Sequence, residues 1–392
     1  MAAKKKRKYF YDYSLLFAVI FITGFGMIMM YSASGYSAQN QMNDAMYFLR
    51  HQAVFAAGGL VAMLIVSVID YHLTAIFSKI LYIVAWGLIV ATMVIGVASH
   101  GSARWIKFGS VRFQPSEIMK IAVIVLLSYL ITHYGYQINN GRTWWKVALV
   151  GIAPGIVVAA TNLSTAMIIL GITFFMMWIA SKKYWPFVLC GVVGVLVYIF
   201  AYPMAKLLSA LNILQDYQLT RIFAWKDPAS YSDETFQTLQ GLYAIGSGGI
   251  FGKGLGESVQ KFLMPEAQND MIFTIICEEL GLFGAISLIL IYVFIIYRLF
   301  DIARNARDLY GSMLVIGILC HISLQVILNI GVATNTIPNT GVTLPFVSYG
   351  GTSLMLLMAE IGLALSIPRQ IRLEDQTKVF RALPMAKLFF LW

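Results

Sequence analysis

Residues 272–297 read IFTIICEELGLFGAISLILIYVFIIY, and the adjacent Glu278 and Glu279 are the only charged side chains in this stretch. An apolar run longer than about 18 residues is typical of a transmembrane helix. At about 1.5 Å per residue, a helix of this length is long enough to cross the roughly 30 Å hydrocarbon core of a bilayer. The stretch therefore predicts a membrane span and decides the fold class.

The composition of the whole chain agrees with this prediction. Hydrophobic residues make up 59% of the 392 residues, charged residues make up 12%, and the mean hydropathy is +0.76. Soluble domains average about 45–50% apolar and about 25% charged residues, so a soluble globular protein is excluded. The formal net charge of +10 has no soluble basic domain to carry it, and we expect no nucleic-acid partner.

Apolar runs long enough to span a bilayer recur along most of the chain. They predict an all-α polytopic membrane protein whose membrane domain covers 13–367, with a basic N-terminus at 1–12, a tail at 368–392 and a long outer loop at 205–271 between the seventh and eighth spans. A short polar interruption at 161–165 leaves nine spans as the alternative to ten. The ten runs are 13–34, 51–69, 80–98, 117–134, 147–163, 164–180, 186–204, 272–297, 312–333 and 350–367.

The distribution of basic residues predicts the orientation. With both termini in the cytoplasm, most Lys and Arg residues outside the long loop fall on the cytoplasmic side, as the positive-inside rule requires. Arg104, Lys107 and Arg112 are exceptions, because they lie in the short outer segment 99–116. Three cations that oppose the topological bias predict a binding role, and phosphate groups are the ligands that such cations favour.

Ionisable residues near or within spans are functional candidates, because a charge in the membrane is costly unless it is paired or hydrated. Glu117 and Lys120 share a helix face at spacing i, i+3, and an ion pair that only anchors the helix end is the structural alternative. Ser116 is a candidate helix cap. Asp270 precedes the eighth span, with Glu278 on the same face, and a plain N-cap is the alternative role for Asp270.

The prolines and glycines of the segment 338–353 predict irregular backbone at membrane depth, most simply a re-entrant turn. The five histidines are scattered, and the three cysteines lie in apolar runs without a second cysteine or a histidine at ligand spacing. The sequence therefore supports neither a histidine metal cluster nor a disulfide framework.

Three motifs, in order along the chain, resemble those of the SEDS family of shape, elongation, division and sporulation proteins. The first is Arg104-Trp105-Ile106 with Phe113-Gln114-Pro115-Ser116-Glu117 and Lys120. The second is Pro265-Glu266-Ala267-Gln268-Asn269-Asp270 with Glu278-Glu279-Leu280-Gly281, and the third is the run from Thr340 to Gly351. The segment 256–261 is more similar to the division and sporulation branch than to the elongation branch.

The resemblance implies a ten-span glycosyltransferase of the bacterial cytoplasmic membrane that polymerises lipid II during cell division. Asp270 matches the essential aspartate of the family and would act as the general base. The implied partners are lipid II, a class B penicillin-binding protein, other divisome membrane proteins and membrane lipids. The candidate substrate-binding residues are Arg104, Lys107, Gln114, Ser116, Glu117, Lys120, Ser258, Gln260, Lys261, Glu266, Glu278, Ser348 and Tyr349.

Two other functions stay open at this point. A lipid II flippase would also use intramembrane charges and broken helices, and a non-catalytic scaffold for division proteins would also need many spans. No covalently bound cofactor is expected. A divalent cation, Mg²⁺ or Mn²⁺, could assist at the pyrophosphate of the substrate.

Overall fold

The computed structural model describes residues 11–99, 102–108, 111–201, 232–264 and 266–370, together with positions 203, 206, 223, 225 and 226. Both terminal segments of the sequence analysis, 1–12 and 368–392, therefore lie largely outside the described residues, as does much of 205–231. The helices are α1 Tyr13–Met42, α2 Tyr47–Val68, α3 His72–Ile95, α4 Pro115–Tyr134, α5 Gly141–Ala159, α6 Leu163–Ala180, α7 Trp185–Ile199, α8 Ser232–Ser247, α9 Ile272–Arg304, α10 Leu309–Ala333 and α11 Gly351–Arg369.

Within the described ranges, nine helices are long and apolar enough to cross a membrane: α1 to α6 and α9 to α11. The fold class of a polytopic helical membrane protein is thereby confirmed. The fifth and sixth apolar runs form separate helices, and Asn162 caps α6 by accepting a hydrogen bond from the backbone N–H of Thr165. The apolar helix α7 has only 15 residues, so the count of ten spans stays a prediction.

Most helices extend beyond the apolar runs that predict them. Helix α3 begins at His72 instead of residue 80, and α9 ends at Arg304 instead of residue 297. Hydropathy marks the part of a helix inside the hydrocarbon, whereas capping side chains mark where the helix begins. Asp308 shows this, because its Oδ1 accepts a hydrogen bond of 2.7 Å from the Gly311 N–H and starts α10 three residues before the apolar run.

The segment between α3 and α4 folds as a small antiparallel sheet, which the sequence analysis did not predict. Its strands are β1 Val97–Ser99, β2 Ser102–Phe108 and β3 Val111–Phe113, in the order β1-β2-β3. Lys107 pairs with Arg112 in the register of β2 and β3. The two cations are thus held at neighbouring positions on a short hairpin.

Residues 339–350, between α10 and α11, form an irregular and largely buried segment that we call the strip. Its carbonyl groups are satisfied by side chains from distant helices. The hydroxyl of Tyr292 donates to the Pro345 carbonyl at 2.5 Å, Gln52 Nε2 donates to the Ser348 carbonyl at 3.2 Å, and the hydroxyl of Ser164 donates to the Thr340 carbonyl. Non-helical backbone is tolerated at membrane depth when protein groups satisfy it in this way.

At the end of the bundle opposite to the strip, a polar cluster joins α3 to α10. The hydroxyl of Tyr71 donates to Asp308 Oδ2 at 2.5 Å, and His72 Nε2 lies 3.0 Å from the same oxygen. Burial alone would raise the pKa of Asp308, but the hydrogen bonds from the Gly311 N–H, Tyr71 and His72 outweigh it and hold the pKa below its ordinary value. Burial and the nearby Asp308 carboxylate raise the pKa of Tyr71.

This cluster predicts a loss of stability in acid. A carboxylate with a lowered folded-state pKa stabilises the protein above its unfolded pKa of about 3.9, and that contribution disappears as the pH falls through the folded value. Asp308→Asn should destabilise the protein at pH 7 by about 1–3 kcal/mol, the usual range for hydrogen bonds to a charged group. Thermal unfolding of purified wild type and variant between pH 7 and pH 3 should show the two curves converging below about pH 4. A stability difference between wild type and Asp308→Asn that does not change with pH would show that the charge of Asp308 does not stabilise the fold.

Candidate active site

Asp270 lies immediately before α9, at the end of the bundle that carries the strip. The N-cap position of α9 is occupied by Met271, whose side chain makes no capping hydrogen bond. Asp270 is therefore not the N-cap residue of α9, the alternative role that the sequence left open. Its side chain is half-buried, and Oδ1 accepts a hydrogen bond of 3.3 Å from Gln237 Nε2 on α8.

The backbone at Asp270 is held by Asn329, a fully buried residue of α10. Asn329 Nδ2 donates to the carbonyl of Asp270 and to the carbonyl of Val342, both at 2.7 Å. A single amide thus joins the residue before α9 to the strip. Asp270 Oδ2 also lies near Gly341 of the strip, where a built Cβ would be 3.7 Å from it. Three separate elements, α8, α10 and the strip, therefore set the position of this carboxylate.

Neither Asn329 nor Gln237 was among the candidate residues predicted from the sequence. Asn329 carried a usable signal, because an amide inside the apolar run 312–333 requires partners in the membrane. Gln237 carried none, because it lies in a polar segment where glutamine is ordinary.

Tyr349 of the strip is bonded to the segment that precedes Asp270. The N–H of Tyr349 donates to the carbonyl of Gln268 at 2.9 Å. The hydroxyl of Tyr349 lies 2.9 Å from His51 Nδ1 at the start of α2. Ser348 Oγ accepts a 2.7 Å hydrogen bond from the Leu344 N–H and shapes the turn of the strip. Ser348 thus has a role inside the fold, while Tyr349 faces the side of the strip next to α2.

Glu117 and Lys120 form the predicted ion pair at the start of α4. Lys120 Nζ lies 2.8 Å from Glu117 Oε1, and the two side chains are 1% and 10% exposed. Ser116 is not the helix cap that the sequence suggested. Gln114 occupies the N-cap position, and its Nε2 donates to Ser116 Oγ at 3.0 Å. The helix begins at Pro115, two residues earlier than it would with Ser116 as its cap.

Gln114 and Ser116 line a small pocket together with Thr161 and Asn162 of the α5–α6 turn. Ser164, two residues further on, bonds to the carbonyl of Thr340 in the strip. The pocket therefore lies between the start of α4 and the α5–α6 turn, and Ser164 joins α6 to the strip.

The burial of the α4 ion pair predicts strong coupling between its two members. Removing one partner of a buried pair leaves an uncompensated charge, at a cost of about 3–5 kcal/mol, whereas replacing both partners with uncharged residues is often nearly neutral. Glu117→Gln and Lys120→Met should each destabilise the protein by that amount, and the double variant should recover most of the loss. Thermal unfolding of the four proteins in a double-mutant cycle measures the coupling. Additive losses would show that the pair contributes no mutual stabilisation.

We call the loop from residue 252 to residue 262 the lysine loop. Two adjacent buried carboxylates of α9 bind it. Glu278 lies 2.6 Å from Lys253 Nζ, and it accepts a hydrogen bond of 2.5 Å from Ser258 Oγ. Glu279 lies 3.2 Å from Lys261 Nζ and accepts a hydrogen bond of 2.6 Å from Ser32 Oγ on α1. The loop is thereby joined to both α9 and α1.

These contacts change the interpretation of several predicted substrate-binding residues. The ammonium group of Lys261 also donates to the carbonyl of Gly256 at 2.5 Å, and the backbone N–H of Gln260 donates to Glu278 at 3.3 Å. Ser258, Lys261 and Glu278 are therefore each engaged within the fold, and their binding of substrate stays a prediction. Gln260 contributes its backbone N–H to the same arrangement.

The remaining predicted residues stand apart from these contacts. Glu266 is exposed and accepts a hydrogen bond of 2.8 Å from Asn269 Nδ2. Lys107 is exposed on β2, and the side chain of Arg104 lies outside the described part of the chain. Binding of pyrophosphate by the hairpin cations thus stays a prediction.

Metal binding by the protein alone finds little support among the residues that the structure describes. In those ranges, no three His, Cys, Asp or Glu side chains come together as ligands for a metal ion. The Mg²⁺ or Mn²⁺ at the pyrophosphate of the substrate stays a prediction.

Comparison with known proteins places the chain in a family. A family model described as cell cycle protein, covering FtsW, RodA and SpoVE, matches residues 13–373. Stage V sporulation protein E of Bacillus subtilis is 36% identical over 92% of this chain and 98% of its own length. The probable peptidoglycan glycosyltransferase FtsW of the same organism is 34% identical over 95% of this chain and 94% of its own length.

Solved structures show the same fold. A chain from a study of the structural coordination of polymerization and crosslinking by a peptidoglycan synthase complex superposes with a TM-score of 0.75 and 24% identity, covering 93% of this chain and 99% of that chain. The rod shape determining protein RodA of Thermus thermophilus superposes with a TM-score of 0.65 and 22% identity, covering 92% of this chain and 98% of that chain. The chain therefore belongs to the FtsW, RodA and SpoVE family of cell cycle proteins, which is the SEDS family that its three motifs resemble.

Proposed function

We propose that this protein is a peptidoglycan glycosyltransferase that polymerises lipid II into glycan strands at the outer face of the cytoplasmic membrane during cell division. The observation that carries the proposal is the placement of Asp270, a half-buried carboxylate at one end of the membrane bundle, positioned by α8, α10 and the strip. The names of the FtsW relatives support the same reaction and the division role.

The reaction joins two lipid-linked sugars, and Asp270 is suited to its proton transfer. The acceptor hydroxyl transfers its proton to the Asp270 carboxylate while its oxygen attacks the anomeric carbon of the donor sugar. The bond from that carbon to the pyrophosphate breaks, and the pyrophosphate leaves with its polyprenyl chain and both bonding electrons. A single displacement of this kind inverts the anomeric centre. General base catalysis of this type contributes about 10²–10⁴-fold to the rate.

Two further features suit a lipid pyrophosphate substrate. Lys107 and Arg112, paired across the hairpin, together with Arg104, supply cations on the outer segment between α3 and α4. An open groove of about 430 Å³ lies between α1 and the lysine loop, with Tyr31, Tyr36 and Phe262 among its lining residues. A groove lined largely by apolar side chains suits the polyprenyl chain of a lipid-linked substrate.

The proposed orientation and partners follow from the same function. Both termini lie in the cytoplasm, so the Asp270 end of the bundle faces outward, where lipid II is polymerised. A class B penicillin-binding protein crosslinks the product, and other divisome membrane proteins bring the pair to the division site. The fold shared with a chain of a peptidoglycan synthase complex supports a crosslinking partner.

The test is a polymerisation assay with purified full-length protein and lipid II, with and without the penicillin-binding protein encoded by the same cell. We expect glycan strands that a muramidase digests. Failure of both preparations to form polymer, with lipid II instead moved across the bilayer of reconstituted vesicles, would replace the transferase with a flippase. A protein that does neither and still binds its division partners would be a scaffold.

A further inference from the structure

The buried face of α10 carries polar side chains at every fourth position: His321, Gln325 and Asn329. Residues spaced four apart lie one above another on a helix, so the three form a continuous line, which we call the α10 stripe. Each of the three is at most 3% exposed. The stripe begins at a buried polar pair, where His321 Nδ1 lies 2.8 Å from Glu360 Oε2 of α11. It ends beside Asp270, through the hydrogen bond from Asn329.

Each residue of the α10 stripe has one polar atom bonded to the protein and another without a partner among the described residues. Gln325 Nε2 donates to the carbonyl of Thr343 at 3.0 Å, and Asn329 Nδ2 donates to two carbonyls. Because a carbonyl oxygen only accepts, these bonds fix the orientation of both amides. The atoms left over are Gln325 Oε1, Asn329 Oδ1 and His321 Nε2, all of them buried.

The spacing of the three residues along α10 indicates what satisfies these atoms. Buried polar atoms in native proteins are nearly always hydrogen-bonded. Four residues of helix rise about 6 Å, close to the length of two hydrogen bonds through one bridging molecule. Water donates to an amide oxygen, and it can donate to or accept from an imidazole nitrogen. A metal cation is unsuitable, because it needs oxygens that converge within about 2.6 Å.

We propose that the α10 stripe holds a file of internal water molecules that joins the His321–Glu360 pair to the Asp270 end of the bundle. The file supplies the missing hydrogen bonds of three buried side chains and connects the buried His321–Glu360 pair to the site through hydrogen-bonded water. The proposal concerns water binding, and it holds whether or not Asp270 acts as a base in polymerisation.

X-ray hydroxyl radical footprinting of the wild-type protein tests the file directly, because radiolysis of a bound water oxidises the side chains next to it even when they are buried. Mass spectrometry should find His321 oxidised several-fold faster than Tyr292. Tyr292 is equally buried, and its hydroxyl already donates to Pro345. If His321 is oxidised as slowly as Tyr292, the proposal is overturned. This comparison requires no variant.

A substitution at the centre of the stripe tests its continuity. Gln325→Met keeps the side-chain length and removes the polar atoms, so oxidation of His321 should fall several-fold. Thr173→Val is the matched control, because the hydroxyl of Thr173 is buried and already donates to Ile169 of its own helix at 2.8 Å. This control should leave oxidation of His321 unchanged. Oxidation of His321 that persists in a folded Gln325→Met protein would show that water reaches the His321–Glu360 pair by another path. That result would contradict a water file along the α10 stripe.

Discussion

Replacing Asp270 with asparagine should lower the rate of lipid II polymerisation by about 10²-fold or more, because an amide has no useful basicity in place of the carboxylate. The fold should survive this change. Oδ1 of an asparagine can still accept the hydrogen bond from Gln237, and the bond from Asn329 goes to the backbone carbonyl. Met271, not Asp270, occupies the N-cap of α9. A steady-state assay with fluorescent lipid II measures the rate, and thermal unfolding measures the fold.

The matched control is Asp44→Asn, which removes an exposed carboxylate from the turn between α1 and α2. Asp44 pairs with Arg50, whose side chain is 71% exposed, and such surface pairs contribute little. This variant should polymerise lipid II at the wild-type rate. Near-normal glycan synthesis by a folded Asp270→Asn protein would remove Asp270 from the chemistry. Loss of lipid II binding together with activity would give Asp270 a binding role instead of a basic one.

The helical fold could be predicted from the sequence because the bilayer imposes a single requirement on every span. The backbone N–H and C=O groups of each apolar run need hydrogen-bond partners in lipid, and an α-helix provides them within the run itself. The run at 272–297 accordingly lies within α9. Helix ends were less predictable, since Asp308 starts α10 through a local cap that hydropathy does not detect.

The candidate site was only partly predictable, because its contacts join residues that are far apart in the chain. The i, i+3 spacing predicted the ion pair of Glu117 and Lys120, which needs nothing outside one helix turn. No spacing rule relates Asn329 to Asp270, which are 59 positions apart. Family motifs identified Asp270, but a motif does not distinguish a residue that binds substrate from one that holds the loop beside it.

The lysine loop shows this limit of sequence-based prediction. Lys253 and Lys261 are the same residue type and pair with adjacent glutamates, but the burial of the two pairs differs. The Lys261 side chain is 7% exposed and its partner Glu279 is fully buried, whereas the Lys253 side chain is 32% exposed. Glu278, the partner of Lys253, also accepts hydrogen bonds from Ser258 Oγ and from two backbone N–H groups. Glu278 therefore keeps several donors when Lys253 is lost, while Glu279 keeps fewer when Lys261 is lost.

Lys261→Met should consequently destabilise the protein by about 3–5 kcal/mol, the cost of leaving a buried carboxylate without its cation, and Lys253→Met should cost distinctly less. The double variant Lys261→Met with Glu279→Gln should recover most of the stability, since no buried charge is then left unpaired. Thermal unfolding of the four purified proteins measures these differences. Polymerisation should fall with stability in Lys261→Met and return in the double variant, because the pair holds the loop against α1 and α9 and does not touch the reacting groups. A double variant that is stable yet inactive would instead support the substrate-binding role that the sequence analysis predicted for Lys261.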